Sequence, residues 1–158
     1  MTELLIRAVA SHDVAAVAAL RTELEEGGAS AERMSRYLAG EHHPQFALPP
    51  RGMWAADVGG APVAFIAGHL SRRFDCDGEL QWLYVVPVRR RTGIASQLLF
   101  RLATWFASSG AQRVCVNASA PPARTFYARH GATEVDAHWM VWEDIGAVQR
   151  GGGPAAPC

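Results

Sequence analysis

The sequence predicts an α/β fold, a single domain whose mixed sheet carries helices on its faces. Three observations predict it. Runs rich in β-branched and aromatic residues interleave with helix-spaced apolar stripes in the order β, α, α, β, β, β, α, β, α, β. A glycine pair, Gly59-Gly60, joins two β-rich runs in the manner of a hairpin. The 158 residues, 49% hydrophobic and 19% charged, suit one compact core that needs neither disulfide nor metal.

The elements follow in order. Leu4 to Ala8 is an apolar run read as a strand, stopped by Ser11-His12-Asp13. Ser11 or Asp13 caps the next helix, because a short side-chain oxygen accepts from the free amides of a first turn. Val14, Val17, Ala18 and Leu20 supply its stripe, and Gly27-Gly28 ends it. Ser30 with Arg33, Met34, Tyr37 and Leu38 marks a second helix ending near Gly40. Glu41 to Pro50, with three prolines and two histidines, reads as a loop. Trp54–Val58 and Val63–Leu70 form the hairpin, and Glu79–Val86 pairs next. Leu98–Ala107 has helical spacing, Arg113–Asn117 reads as a buried strand, and Ala123–His130 is a short helix stopped by Gly131. Strands at Glu134–Val135 and Trp139–Trp142 close the sheet. Gly151–Cys158 has nothing to bury, so the domain is placed at 1–148 with a flexible C-terminal tail at 149–158.

Fifteen basic residues, all arginine, balance fifteen acidic ones. Zero net charge leaves no bulk attraction for nucleic acid or an anionic membrane. Cys76, Cys115 and Cys158 are widely spaced and lack metal-ligand or CxxC spacing, so they read as reduced thiols. His42-His43 side chains diverge and find no third ligand, and no metal is expected. Without a signal core or a membrane-length apolar run, the expected location is the cytoplasm.

The chemistry-bearing stretch is Glu79 to Ser96, in which a β-run feeds Pro87, then Arg89-Arg90-Arg91-Thr92, then Gly93 and Ala95 at a helix mouth. Unpaired amides and the positive end of a helix dipole converge there, which suits phosphate. Small residues let the backbone approach a pyrophosphate. The stretch lacks Gly-Lys-Ser/Thr and G-x-G-x-x-G, so ATP and NAD fit poorly.

Arg90-Arg91-Thr92-Gly93-Ile94-Ala95 resembles the (Gln/Arg)-x-x-Gly-x-(Gly/Ala) acyl-CoA pyrophosphate motif of the GNAT superfamily, the CoA-dependent N-acetyltransferases. Glu79-Leu-x-x-Leu-Tyr-Val-x-Pro87 is similar to that family's fourth strand, and Ala123-x-x-Phe126-Tyr127-x-x-x-Gly131 to its later helix. The resemblance implies a mostly antiparallel sheet with a V-shaped splay between strands 4 and 5 and helices on both faces. It also implies acetyl-CoA as acyl donor, held by Leu83, Tyr84, Val85, Arg90, Arg91, Thr92, Gly93, Ile94, Ala95, Ser96 and Asn117. Two departures stand out: Ala95 replaces a commoner glycine, and Ala120 sits where asparagine is frequent, leaving Asn117 as its substitute.

An acceptor ammonium must lose a proton before attacking a thioester. Glu79 matches the base of some family members, and simple alternation puts it on one strand face with Gln81, Leu83 and Val85. Tyr127 matches the residue that protonates the departing CoA sulfur, and the Leu83 and Val85 backbones match groups that hold pantetheine and the oxyanion. Trp82, Tyr84, Trp139 and Trp142 read as core; Arg72 and Arg73 either extend the anion site or flank a loop; His130 caps a helix end. Glu23, Glu25 and Glu26 either form an acidic rim for a cationic amine or a solvated helix end. The expected reaction is direct acetyl transfer to a small-molecule or peptide primary amine in a ternary complex. Dimerisation through the terminal strands is a further expectation. A non-catalytic acyl-CoA-binding regulatory module is the alternative class.

Overall fold

The computed structural model describes residues 3–21, 31–41 and 44–150. Within them the chain runs β1 (Leu4–Ala8), α1 (Val14–Ala18), α2 (Ala31–Leu38), β2 (Ala47–Val58), β3 (Ala61–Ser71), β4 (Gly78–Val85), α3 (Ile94–Ser108), β5 (Val114–Asn117), α4 (Pro121–Arg129), β6 (Thr133–Glu134), β7 (Trp139–Trp142) and α5 (Gly146–Arg150). The seven strands form one sheet in the order β1-β2-β3-β4-β5-β7-β6. Every neighbouring pair is antiparallel except β4 and β5.

Gly59 and Gly60 both have positive φ, 63° and 84°, and make the tight β2–β3 turn that their sequence announces. β2 starts earlier than the composition suggests: Ala47 to Pro50 pairs toward Leu70 and Ser71, with a register shift between Leu48 and Arg51. A shift at this point lets prolines sit in an extended run without interrupting the ladder. Helix α3 carries buried Ile94, Leu98, Leu99, Leu102, Ala103 and Phe106, one apolar stripe laid on the sheet. α1 and α2 cover the other face, where Val14, Val17, Met34 and Tyr37 pack on Phe65, Trp82 and Tyr84. The Gly27-Gly28 helix stop, the Glu23–Glu26 rim, His42-His43, Cys158 and the 151–158 tail lie outside the described residues.

A second register shift, between Ala67 and Gly68, leaves Gln81 of β4 without a β3 partner in the register. This bulge overturns the simple alternation expected for β4. Leu80, Leu83 and Val85 pack with the α3 core, whereas Trp82 and Tyr84 pack with α1 and α2. Glu79 therefore does not share a face with Leu83 and Val85.

β4 and β5 pair over only three positions: Gly78 with Val114, Glu79 with Cys115, Leu80 with Val116. Beyond Leu80 the strands part, while Asn117 pairs instead with Trp139 of β7. The closed end is clasped by Asp77. Its Oδ2 accepts from the amides of Gln112 and Arg113, both at 2.9 Å, and its own amide donates to Arg113 O at 2.6 Å.

Candidate active site

The V-shaped gap is lined by backbone. Val86 N–H donates to Val63 O at 2.9 Å, which makes Val63/Val86 and, two residues on, Phe65/Tyr84 the hydrogen-bonded pairs of the ladder. Tyr84 thus spends its main-chain groups on β3, and Leu83 and Val85 turn theirs toward the gap. Arg90 Nε already donates to Val85 O at 2.8 Å, and its guanidinium lies 5.4 Å from the Tyr84 ring centre. Arg90 folds back toward β4 instead of standing free in the turn.

The turn itself is left-handed at two residues, Arg91 (φ 63°) and Gly93 (φ 87°). Such residues turn successive N–H groups inward into a concavity that favours anions. Gly93 is the N-cap of α3, and no side chain caps the helix. The first bond into the helix is Gln97 N to Gly93 O at 3.1 Å, so the amides of Ile94, Ala95 and Ser96 precede any intrahelical acceptor. A β-carbon built on Gly93 meets nothing within 4 Å, so the approach to these amides is open. The Thr92 hydroxyl donates to Arg89 O and closes the turn, and Ser96 Oγ lies 3.0 Å from His130 Nε2. His130 also serves as the C-cap of α4. Burial, and then Arg129, lowers its pKa below 6.5.

Tyr127 is buried, edge-on to Trp142 at 5.5 Å and to Phe126 at 5.4 Å. Burial raises its pKa above 10.

Glu79 sits near the closed end of the gap, on the α2 face, 5% exposed. Its Oε1 accepts from Arg73 Nε at 3.1 Å. His69, fully buried, stands 2.7 Å through Nδ1 from the Tyr37 hydroxyl, whose proton is held by burial well above pKa 10. The His69 Nε2 lies 3.8 Å from Glu79 Oε1, beyond hydrogen-bond range.

Arg73 departs from both readings of the sequence. It neither extends the anion site nor merely flanks a loop: its guanidinium carbon lies 4.5 Å from the Trp139 ring centre and 5.3 Å from that of Phe46. Trp139, expected in the core, is half-buried at this cluster, with Phe74 edge-on at 5.3 Å. Trp82, Tyr84 and Trp142 are core residues as expected. Sequence reasoning missed His69, Phe46 and Phe74, and no local signal marks them, because their partners lie tens of residues away.

Cys76 and Cys115 are free, buried neighbours. The Cys115 thiol, with Arg113, lowers Cys76 to about 7. This is the depression that sequence alone does not supply, yet at 4% exposure the sulfur is closed to an acyl donor. Among the described residues no group of three or more His, Cys, Asp or Glu is placed to hold a metal. Nor is any helix there long and apolar enough to cross a membrane.

A splayed parallel strand pair followed by an uncapped, glycine-led helix is the arrangement that the sequence resemblance implied, and family comparison decides it. The description "Acetyltransferase (GNAT) family" matches residues 15–132. The chain belongs to the GNAT family. Solved GNAT-fold structures agree. A GNAT-family acetyltransferase from Desulfovibrio desulfuricans superposes with TM-score 0.70 at 17% identity, covering 90% of this chain and 99% of that one. The ribosomal-protein-S18-alanine N-acetyltransferase from Escherichia coli gives 0.69 at 17%, covering 89% and 93%. A GNAT acetyltransferase from Brucella melitensis in complex with acetyl-CoA gives 0.64 at 18%, covering 88% and 86%. At such identities the likeness concerns the fold. A comparison of this GNAT sequence with curated proteins finds no match.

Proposed function

We propose that the protein transfers an acetyl group from acetyl-CoA to a primary amine by direct attack within a ternary complex. The observation that carries this reading is the open turn at Gly93 placed beside a gap where β4 past Leu80 has no β5 partner, only the Val85 carbonyl there being held by Arg90. A diphosphate fits the amides of Ile94, Ala95 and Ser96, and the attached thiol arm fits the gap, where Leu83 and Val85 offer main-chain partners. The acetyl-CoA bound by the Brucella melitensis fold relative supports the choice of donor. Asn117, exposed on β5 just past the last β4 pair, borders the same gap.

Glu79 is the base in this reading. Attack by the neutral amine forms the C–N bond, an amide N–H of β4 stabilises the oxyanion, and collapse breaks the C–S bond. Tyr127 then stabilises the thiolate. Burial raises the Tyr127 pKa above 10, so the proton stays on the phenol at neutral pH. The intact O–H donates a hydrogen bond to the departing sulfur, and the proton released by the amine completes the balance.

Calorimetry with acetyl-CoA and a thiol-release screen over pooled primary amines test the proposal. Tyr127→Phe is expected to lower kcat about 10- to 100-fold, the loss of one hydrogen bond to a charged group, with acetyl-CoA affinity unchanged. Absence of heat with acetyl-CoA overturns the transferase reading. Binding without thiol release on any amine favours the regulatory module.

A further inference from the structure

We infer that Arg73 is a resident stand-in for the acceptor: it fills a cation site made by Trp139, Phe46 and the Glu79 carboxylate, which an incoming alkylammonium takes over when Arg73 swings out. The inference rests on the acetyltransfer reading for its claim that the occupant is the acceptor.

The chemistry of the site is that of a cation box. One positive group touches an aromatic face at 4.5 Å and a second ring at 5.3 Å, while donating to a buried carboxylate at 3.1 Å. Both ring distances fall within the range in which a ring quadrupole attracts a cation. The box adjoins the gap, since Trp139 pairs with Asn117, the residue after the last β5 position paired with β4.

Glu79 decides the class of ligand. Its side chain is 7% exposed and Arg73 holds its Oε1, so a ligand that pairs directly with that oxygen takes the place of Arg73. A neutral replacement strands a buried carboxylate, which is strongly unfavourable. Only another cation restores the balance, which selects protonated amines over alcohols, amides and neutral amines.

Leaving costs Arg73 its bonds to Glu79 Oε1 and to Gln45 O, the latter 3.2 Å from Nη2, and the local backbone offsets part of that cost. Arg73 retains 17% side-chain exposure and starts a short turn in which Phe74 and Asp75 adopt left-handed φ values of 53° and 59°. Phe46, on the facing segment, has φ 68°. Non-glycine residues held in this region carry strain that a rearranged turn relieves. Phe46 and Phe74 are also 52% and 41% exposed, so little packing resists their movement.

The test empties the box and refills it. Arg73→Met removes the guanidinium and keeps a long stem. Ethylguanidinium is the probe, and ethylurea is its neutral control. Ethylguanidinium is expected to bind Arg73→Met saturably at one site and raise its Tm. Ethylurea should bind at least about tenfold more weakly, the wild type, where Arg73 competes for the box, should bind ethylguanidinium about tenfold or more less tightly than the variant does, and adding Glu79→Gln should weaken ethylguanidinium by about tenfold. Equal response to both probes, or equal response of wild type and variant, overturns the inference. If Arg73→Met does not fold, Arg73→Gln carries the same comparison. If that also fails, refolding rescued by ethylguanidinium and not by ethylurea supports the box, and rescue by neither refutes it. None of these readouts uses acetyl-CoA. A protein that binds acetyl-CoA but not ethylguanidinium in the variant loses only this inference, and the converse pattern loses only the transferase reading.

Discussion

The turn that opens α3 and the cluster around Arg73 lie toward opposite ends of β4, and they are built in different ways. The turn is made of main chain contributed by seven consecutive residues, Arg90 to Ser96, and its chemistry is the amide N–H. The cluster is made of side chains from Phe46, Arg73, Glu79 and Trp139, which the fold gathers from two separate turns and two strands. A backbone site tolerates changes of side chain as long as the left-handed positions survive. A side-chain site fails with one substitution.

Four outcomes sharpen or break that contrast. Glu79→Gln is expected to have the largest effect, lowering kcat about 100-fold or more while acetyl-CoA binding, read by calorimetry, stays intact. A simultaneous loss of acetyl-CoA affinity would show that the two ends of β4 are not separable. Gly93→Val forces a β-branched residue toward φ 87° and narrows an open approach. It should weaken acetyl-CoA about tenfold by calorimetry and cost roughly 1–2 kcal/mol in denaturant unfolding. Asp77→Ala removes the acceptor for two amides at the closed end of the gap and should destabilise the fold by about 1–3 kcal/mol in urea melts.

The smallest effect is that of pH. His130 has a depressed pKa, so the unfolded chain takes up its proton more readily than the folded one. The stability it contributes is complete above about 6.5 and is lost as pH falls through the lower folded value. Wild-type Tm should therefore drop more between pH 7 and pH 5 than that of His130→Asn; equal slopes would remove His130 as the source.

The same contrast explains what the sequence made legible. The turn that opens α3 was readable because its signal is local: Pro87, the arginine run, Gly93 and Ala95 lie within nine residues. The β2–β3 hairpin was readable for the same reason. The orientation of β4 was not, because a single unpaired residue, Gln81, reverses the faces on either side of it, and no residue there advertises a bulge. Arg73 was ambiguous because an arginine beside a loop has many possible partners, and the one it takes, Glu79, is itself buried beneath it. Trp139 looked like core since large aromatics usually are; here its ring is half-buried against Arg73 and Phe74. Short helix α5, with its Val148 and the preceding Ile145 buried against the α3 core, was missed because five residues do not establish a helical period.

Asp77 has a mechanical consequence. By locking β4 to the start of β5 with three backbone contacts, it makes the base of the sheet's cleft a fixed vertex. Two arms pinned at one point spread most at their free ends. A small rotation of β5, β7 and α4 about that vertex changes the width of the cleft little near Glu79 and most at the far end of β4. A bulky ligand entering at the rim would then leave the pairing of Glu79 with Cys115 beside the pivot undisturbed.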